Sequence, residues 1–457
     1  MILDLYIRKD AKSLPNIRFF ENEAARSTLS RGKLQVSYNR QSLLTMEKRL
    51  LDPDYQFKPP KPSVFWEWAL GPVRRSVYRN MYGVKEIEIR NEEKLHDAID
   101  VGSGVMLAIN HPAHGDPFVI FEVVNRLRAR CCYLAAWQVF TGWFGLKGWA
   151  FQRLGAFSVD REGTDLRAFR TAVNVLVKAK RSLVIFPEGD VYHLNDRVTP
   201  LREGAATIAI TAARKRKRNN APPLLIVPCA IKYYYLADPT PELVELMARL
   251  EKQIYWRPQV DKSLVDRIYR YSEAMIALKE FEYLQVLGDG SLSQRIDHLS
   301  KYILKQMEQR RNSKVSESTI PERVKHLRHM VIEELGAGVS SQDESQDDVT
   351  EEVLIQGQRD LEDLHLVTQL FSYPGDYLVE NPSIERISET LDKFEEDALG
   401  KERAGARKPR KAVVRFGEPL DITEYLAGST VKARDAAGVI TNKIENSLQT
   451  LLDEATK

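Results

Sequence analysis

The stretch "GVMLAINHPAHGDPFVIF", residues 104–121, joins three local patterns. The apolar run "GVMLAI" is typical of a buried β-strand, and the polar residues after it form a loop shaped by proline and glycine. From Phe118 onward, "FVIFEVVNRLRAR" has the apolar spacing of an amphipathic helix. A buried strand that leads through a short loop into a helix is the unit of an α/β fold.

Other strand-like runs extend this pattern along the chain. "VKEIEIR" (84–90) alternates as a strand does, and "SLVIF" (182–186) and "LLIVPCAIKYYY" (224–235) are further apolar runs with helical stretches between them. Strands that alternate with helices favour parallel pairing. We therefore expect residues 63–235 to form an α/β core with a mostly parallel sheet flanked by helices.

The remaining residues predict additions to this core. Residues 1–62 are polar and mixed and are expected to be an N-terminal extension. Apolar residues at helical spacing predict a long helical insertion over 236–408, with a flexible acidic loop near 336–352. The strand pattern returns in "AVVRFGEPLDITEYL", so residues 409–457 are expected to rejoin the core. We expect no internal repeat of fixed period.

Composition limits the compartment and the partners. A formal net charge of +3 on 457 residues is too small to indicate a nucleic-acid partner by itself. The cysteines (Cys131, Cys132 and Cys229) have neither a disulfide framework nor zinc-type spacing, which is typical of the reducing cytoplasm. The charged N-terminus is unlike a secretory signal, and no window supplies the roughly 20 apolar residues of a spanning helix. Any membrane contact is expected to be peripheral, on the cytoplasmic face.

The loop after the 104–109 strand run holds a candidate catalytic pair. Asp116 follows His111 by five residues, close enough for the loop to return the carboxylate to the imidazole. Such a carboxylate fixes the ring tautomer, so that the histidine can act as a general base. No serine or cysteine is obviously placed as a nucleophile, so the group to be deprotonated is a substrate hydroxyl, as in direct acyl transfer. A capped turn with a surface histidine is an equally open interpretation.

A metal site is a further alternative for this loop. His111, His114 and Asp116 all carry possible ligand atoms, and His193 is a further histidine. No second histidine cluster or cysteine pair completes a coordination sphere, so a metal site is less favoured than acyl transfer.

Two further stretches end strand-like runs. In "FPEGD", Glu188 would lie at the same sheet edge as His111 if the strands are parallel, and Gly189 permits a sharp turn. In "GAFSVDR", the planar guanidinium of Arg161 would suit a phosphate, although a surface ion pair is the better explanation of an isolated arginine.

Together with "VPCA" (227–230), these stretches form an ordered set: "NHPAHGD", "GAFSVDR", "FPEG", "VPCA". The set resembles the blocks of the PlsC-like glycerolipid acyltransferases, the lysophosphatidic acid acyltransferase family, and spans about residues 105–230. The resemblance implies transfer of a fatty acyl group from an acyl thioester, on coenzyme A or acyl carrier protein, to the hydroxyl of a lysophospholipid or glycerol phosphate-type acceptor. It implies no metal and no other cofactor.

The resemblance also implies roles for individual residues. His111 would be the general base and Asp116 would orient it, without an acyl-enzyme intermediate. Arg161, with Glu188 and Gly189, would hold the phosphate and glycerol of the acceptor.

Further substrate contacts are implied at Asn110, in the first block, and at Val227 and Pro228, which would line a donor or acceptor cleft. The family often has threonine and arginine after its Phe-Pro-Glu-Gly block, whereas "DV" follows here. The missing cation makes Arg197 or Arg202, a little further on, the candidate replacement.

Aromatic residues beside cations predict peripheral contact with an anionic membrane. They fill "VFWEWALGPVRRSVYRNMYG" (64–83) and "WQVFTGWFGLKGWAFQRLG" (137–155), and this mixture suits the headgroup boundary, although packing in the core is equally open. The run "RKRKR" (214–218) could attract anionic lipid at about 1 kcal/mol per residue, but a solvated helix end is the commoner outcome.

Two rival functions remain beside acyl transfer. One is a non-catalytic lipid-binding or scaffold protein that keeps an acyltransferase fold, and the other is a metal-dependent hydrolase. One departure from the family pattern is Ser158, which stands where a bulky apolar residue is more usual.

Overall fold

The computed structural model describes residues 55–455 except 142–144, 162–164, 314–318, 341–346, 402 and 429–432. Most of the predicted N-terminal extension, residues 1–54, lies outside this range. The strands are β1 Val84–Arg90, β2 Gly104–Ile109, β3 Cys131–Ala136, β4 Ala156–Val159, β5 Ser182–Ile185, β6 Leu224–Tyr235, β7 Arg410–Phe416 and β8 Leu420–Asp421.

Helices precede, separate and follow the strands. Up to β6 they are α1 Val64–Ala69, α2 Gly71–Ser76, α3 Glu93–Asp100, α4 Asp116–Arg126, α5 Leu146–Arg153, α6 Leu166–Lys178 and α7 Gly204–Arg218. Those between β6 and β7, called here the insertion helices, are α8 Thr240–Ile254, α9 Leu264–Leu284, α10 Leu292–Arg310, α11 Ile320–Ser340, α12 Asp347–Phe371, α13 Tyr377–Glu380 and α14 Ile384–Leu399. The last two are α15 Ile422–Gly428 and α16 Ala433–Glu454. Within the described ranges, every helix is too short or too polar to cross a bilayer.

The sheet has the order β1-β7-β6-β2-β5-β3-β4, and β8 pairs with β6. The strands from β6 to β4 in this order are parallel, β7 runs antiparallel to β6, and β1 is parallel to β7. The predicted α/β fold, with a mostly parallel sheet and a long helical region, is therefore confirmed. Parallel pairing of β2 with β5 and β6 brings their carboxyl ends to one edge.

Strand β2 separates two hydrophobic cores and is buried along its whole length. Val105, Leu107 and Ile109 belong to the core that contains residues of α4, whereas Met106 and Ala108 belong to the core formed with α6, α7 and α16. Alternate side chains of a strand point to opposite faces, and a strand covered by helices on both faces is apolar throughout. This explains why "GVMLAI" shows no polar alternation.

Residues 55–62 are extended and lie against β4. The Lys58 amide donates to the Ser158 hydroxyl at 2.8 Å, the Ser158 amide donates to the Lys58 carbonyl at 3.1 Å, and the Tyr55 hydroxyl lies 3.1 Å from Ser158 Oγ. The serine at position 158 thus has a structural explanation, because its hydroxyl binds this segment.

Part of the segment expected to be an acidic loop is helical. Residues 336–340 end α11 and residues 347–352 begin α12, while 341–346 lie outside the described residues. The glycine, serine and acidic residues of 336–352 are typical of a loop, so the sequence did not predict the helical ends of this segment. The two helices are held together by apolar residues beyond the window, because Leu327 and Leu335 of α11 share one core with Leu364 of α12.

The insertion helices contain a recurring ion pair that contradicts the expectation of no fixed-period repeat. In each case a glutamate near the end of one helix accepts two hydrogen bonds, of 2.6–3.0 Å, from an arginine near the start of the next. Successive arginines are 28 residues apart. The pairs are Glu251 with Arg267, Glu280 with Arg295, and Glu308 with Arg323.

The same period governs the residues around each arginine. Ser263, Ser291 and Thr319 immediately precede α9, α10 and α11, and an apolar residue follows each arginine. Most residues between these positions differ from copy to copy, so the repeat is hard to see as similarity of sequence. The repeat is visible in the hydrogen bonds that join a glutamate of one helix to an arginine of the next.

The basic run at the end of α7 has a structural role. Arg216 is buried, and its guanidinium donates to the carbonyls of Gly102, Leu176, Val177 and Pro222. Gly102 precedes β2, so this run lies at the amino edge of the parallel strands, opposite the carboxyl edge.

Candidate active site

The loop between β2 and α4 holds His111 and Asp116 in contact. Their side chains are joined by a hydrogen bond of 2.8 Å between His111 Nδ1 and Asp116 Oδ2. Asp116 is fully buried at the first position of α4, and the His111 side chain is 15% exposed. A histidine held in this way is not the surface residue of an ordinary turn.

Two further donors fix the Asp116 carboxylate. The Ala113 amide donates to Oδ2 at 2.9 Å, and the Tyr233 hydroxyl, from β6, donates to Oδ1 at 2.5 Å. Burial, together with the nearby Asp116 charge, raises the pKa of Tyr233 well above its ordinary value. Tyr233 therefore stays protonated and donates a hydrogen bond to the carboxylate.

Glu188 supports the backbone of His111. Its buried carboxylate accepts the His111 amide at 2.7 Å and the Thr199 hydroxyl. Burial raises the pKa of Glu188 to about 7, against the opposing effect of these hydrogen bonds. The resemblance implied contact with the acceptor, but both carboxylate oxygens are used inside the protein. Phe186, two residues earlier, stacks on the His111 ring with 4.3 Å between centroids.

Asn110 also differs from its expected role in substrate binding. Its side chain is buried, donates to the Ile231 carbonyl at 3.0 Å and accepts the Ile231 amide at 2.7 Å. Both polar groups of the side-chain amide are thus engaged with β6. Asn110 ties the start of the active-site loop to the neighbouring strand.

Two arginines meet at Gly189. Arg161 donates to the Gly189 carbonyl and lies 3.6 Å from a carboxylate oxygen of Asp190. Gly189 has a φ of +80°, and a Cβ there would collide with Arg202 Nε. This nitrogen is buried and makes no hydrogen bond within the described residues. The geometry thus favours Arg202 over Arg197 as the second cation at the "FPEGD" turn.

Arg197 is used elsewhere. It forms ion pairs with Asp376, at 2.8 Å, and with Glu380, which lie beside and within α13. Its guanidinium is therefore held by the insertion region. As a replacement for the missing cation, Arg197 is the weaker of the two candidates.

Val227 and Pro228 differ from the expectation that they line a substrate cleft. They are buried within β6, opposite Leu107 and Ala108 of β2, and Val227 belongs to a hydrophobic core. Their apolar character follows from burial in the centre of the sheet.

His114 does not join His111 and Asp116 in one set of ligands. Its Nε2 lies 3.5 Å from Glu396 Oε2, on α14, and His193 Nε2 lies 3.0 Å from the same oxygen. The predicted ligand set of the metal alternative is thus divided between two places.

Sequence reasoning missed Tyr233, Thr199 and Phe186. Tyr233 lies five residues after Pro228 in the same strand, but only the pairing of β6 beside β2 brings its hydroxyl to Asp116. Thr199 follows the "FPEGD" turn at a distance that gives no signal. Phe186 is the first residue of "FPEGD", and its place directly after β5 could have indicated a contact with His111.

Comparison with known proteins relates this site to a family. Residues 86–232, about a third of the chain, match the family model described as Acyltransferase. A relative from Streptococcus pneumoniae (strain ATCC BAA-255 / R6), 1-acyl-sn-glycerol-3-phosphate acyltransferase, is 39% identical over 77 residues, which are 17% of this chain and 26% of the relative. The chain thus matches about a quarter of the length of that relative.

Proposed function

We propose, from the premise that residues 86–232 form an acyltransferase domain, that the chain moves a fatty acyl group from a thioester to a hydroxyl. The acceptor in this proposal is a lysophospholipid or another glycerol phosphate-type alcohol. The observation that carries the proposal is the 2.8 Å hydrogen bond between His111 Nδ1 and the fully buried Asp116. It leaves the other ring nitrogen, Nε2, to take a proton.

The reaction follows from this arrangement. His111 Nε2 takes the proton of the acceptor hydroxyl as its oxygen attacks the thioester carbonyl carbon, and the tetrahedral intermediate then loses the thiolate. The imidazolium returns its proton to the leaving sulfur, so an ester and a free thiol are formed. Asp116 stabilises the imidazolium between these steps, which is the usual use of such a carboxylate.

Direct attack by the acceptor is supported by the surroundings of His111. Within the described residues its ring hydrogen-bonds only to Asp116. Burial raises the pKa of Cys132 to about 11, and it raises the pKa values of Cys131 and Cys229 further, so these cysteines are poor nucleophiles. We therefore propose a mechanism without an acyl-enzyme, and without a catalytic metal or a cofactor other than the thioester.

The acceptor phosphate is proposed to bind beside Gly189. Arg161 and Arg202 both reach this turn, and a guanidinium offers planar donors that match phosphate oxygens. A side chain at position 189 would clash with Arg202, so glycine allows this guanidinium to lie against the turn.

An exposed apolar face supports peripheral membrane contact. Phe65 and Trp68 on α1 are 60% and 74% exposed, and Leu146 on α5 is 63% exposed. The two helices meet through Trp66 and Trp149, whose ring centroids are 4.8 Å apart. The two helices that carry these exposed side chains therefore lie in contact.

Cations accompany this surface. Arg75 on α2 and Lys147 on α5 are both exposed. Trp143 and Phe144, which the sequence also placed in this aromatic segment, lie outside the described residues. Large exposed aromatic residues with cations beside them insert at the headgroup level of a bilayer.

The basic run of α7 fits a membrane less well. Arg216, at its centre, is committed to backbone carbonyls. We propose that the chain binds the cytoplasmic face of a membrane through α1 and α5 and takes a lipid acceptor from there.

Labelled acyl transfer tests the proposed reaction. Acyl-CoA and acyl-acyl carrier protein would each be offered with lysophosphatidic acid, glycerol 3-phosphate, other lysolipids and alcohols without phosphate. We expect transfer by the wild type and a loss of at least about a hundredfold in His111→Ala, because general-base catalysis contributes about 10²–10⁴. His365→Ala, exposed on α12, is the matched control and should keep full activity.

The outcomes separate the rivals. Lack of transfer with every pair, or full activity of a folded His111→Ala variant, would overturn the proposal in favour of a scaffold. Release of free acid in place of ester would indicate a hydrolase.

The phosphate site is tested by the choice of acceptor. Arg161→Ala and Arg202→Ala should raise KM for a phosphate-bearing acceptor and leave KM for a matched acceptor without phosphate unchanged. An equal rise for both acceptors would contradict the assignment.

Vesicles test the membrane face. Trp68→Ser with Phe65→Ser should weaken cosedimentation with vesicles of phosphatidylglycerol and phosphatidylcholine, while Lys215→Ser in the basic run should not. The opposite result would move the contact to α7.

A further inference from the structure

A second cluster of side chains lies beside the active-site loop. His114 belongs to that loop, His193 follows the "FPEGD" turn, and Glu396 lies on α14 among the insertion helices. One ligand atom of each residue lies within 4.8 Å of the others. Three segments that are far apart in sequence thus converge on one point, and this set includes neither His111 nor Asp116.

The separations fit a small metal ion. His193 Nε2 and His114 Nε2 lie 3.0 and 3.5 Å from Glu396 Oε2. Ligand atoms about 2.0–2.1 Å from a tetrahedral zinc ion are about 3.4 Å from one another, so small side-chain rotations would complete the site. Two imidazoles and one carboxylate are a donor set that zinc accepts.

The surroundings hold two of these ligands in place. The Ala404 amide donates to Glu396 Oε1 at 2.8 Å, which leaves Oε2 facing the histidines. His193 has a φ of +53°, in the left-handed region that residues with a side chain rarely adopt. Outer hydrogen bonds and a constrained backbone are features of sites where ligand orientation matters.

A cavity supplies the remaining position. It has a volume of about 40 Å³ and is lined by Pro112, Ala113 and all three of these ligands, among other residues. A polar cavity of this size holds a water molecule. The His114 side chain is 38% exposed, so an ion can reach the site from solvent.

We propose that His114, His193 and Glu396 bind one zinc ion, with water as the fourth ligand. This differs from the expectation that the chain holds no metal, because Glu396 is too distant in sequence to be paired with the histidines. The ion would tie the active-site loop to α14 and so join the acyltransferase domain to the insertion helices. Its ligands include neither His111 nor Asp116, so the proposed acyl transfer does not require the ion.

Metal titration of the full chain tests this site directly. Protein freed of metal with a chelator would be titrated with Zn²⁺ against a chromophoric indicator. We expect one ion per chain and an affinity at least about a hundredfold weaker in His193→Ala and Glu396→Gln, since even outer-shell changes weaken metal binding by about 10–100-fold. His365→Ala and His111→Ala should bind Zn²⁺ as the wild type does.

The readout needs no acyl substrate, so its result is independent of the proposed function. Wild-type protein that binds no Zn²⁺, or equal affinity in folded His193→Ala and Glu396→Gln, would overturn the proposal. If these variants do not fold, Co²⁺ bound to the wild type gives the answer. Intense visible bands of a four-coordinate site support the proposal, and weak octahedral bands overturn it.

Discussion

Residues 86–232, which match the acyltransferase family model, and the insertion helices both bury carboxylates, and several of these carboxylates have different partners. Glu188 lies beside β5 with a backbone amide and a hydroxyl as partners, and Asp116 accepts from His111 and Tyr233. In the insertion helices, Glu251, Glu280 and Glu308 each accept two hydrogen bonds from an arginine. Glu389 on α14 is an exception, since its partners are a backbone amide and a hydroxyl.

This difference distinguishes carboxylates that can assist a reaction from carboxylates that hold helices together. A buried carboxylate without a permanent cation can stabilise a histidine that becomes positive during a reaction, which is the role proposed for Asp116. In Glu188 the same lack of a cation lets burial disfavour the charged form. A carboxylate matched to an arginine has its charge already balanced, so its contribution is to hold helices together. Changes in the first group should lower activity, and changes in the second should lower stability.

Asp116→Asn should give the largest effect. The new amide nitrogen would face one of the donors that the carboxylate now accepts, and the imidazolium would lose its counter-charge. We expect kcat to fall by about 10²–10⁴ with the same thioester and acceptor. Tyr233→Phe removes one donor to the carboxylate but keeps its charge, so its loss should be smaller.

Activity of a folded Asp116→Asn variant within tenfold of the wild type would mean that the charge of Asp116 does not stabilise the imidazolium during the reaction. The kcat values of Asp116→Asn and Tyr233→Phe can also be compared with each other. Equal losses would mean that the orientation of the carboxylate matters as much as its charge.

Glu251→Gln tests the insertion helices. Arg267 would remain buried without its counter-ion, which typically destabilises a protein by about 3–5 kcal/mol. Urea unfolding should show this loss, while kcat of the folded protein stays close to that of the wild type. Asp297→Asn removes one partner of an exposed pair with Lys301 and should change the free energy of unfolding by about 1 kcal/mol at most.

The double variant Glu251→Leu with Arg267→Met should recover most of the lost stability, because an apolar pair removes both charges. A double variant as unstable as Glu251→Gln alone would show that packing, and not the unpaired charge, causes the loss.

The sequence predicted those features of the domain that depend on neighbouring residues. Buried strand runs, the loop that follows them and the five-residue spacing of His111 and Asp116 are local, and the α/β fold and the acyltransferase resemblance are confirmed. Asn110 and Glu188 lie near His111 and Asp116, but their polar groups bind the protein itself. Their partners depend on which strands and loops become neighbours.

The insertion helices show the opposite limit. Their helices follow from apolar spacing, but the 28-residue repeat rests on glutamates that meet arginines of the next helix. Such pairs connect charged residues that are equally common on solvated surfaces. The cluster of His114, His193 and Glu396 spans more than 280 residues of sequence and is visible only in the folded chain.

The dependence of stability on pH gives the smallest effect, and it compares one buried glutamate from each region, Glu188 and Glu280. Burial raises the pKa of Glu188 to about 7, above its ordinary value of 4.5. Its contribution to stability is therefore complete below about pH 4.5 and is lost as pH rises through about 7. Hydrogen bonds from Arg295 lower the pKa of Glu280, so its contribution is present above about pH 4.5 and is lost in acid.

The free energy of unfolding, measured in urea between pH 4 and 8, should separate the two residues. The free energy of unfolding of the wild type, minus that of Glu188→Gln, should fall by roughly 3 kcal/mol as pH rises, since each pKa unit corresponds to about 1.4 kcal/mol. The wild type minus Glu280→Gln difference should instead rise with pH at the acid end of the range. If both differences in the free energy of unfolding changed with pH in the same direction, Glu188 would have a cationic partner in solution. Glu188 would then not differ from the arginine-paired glutamates of the insertion helices.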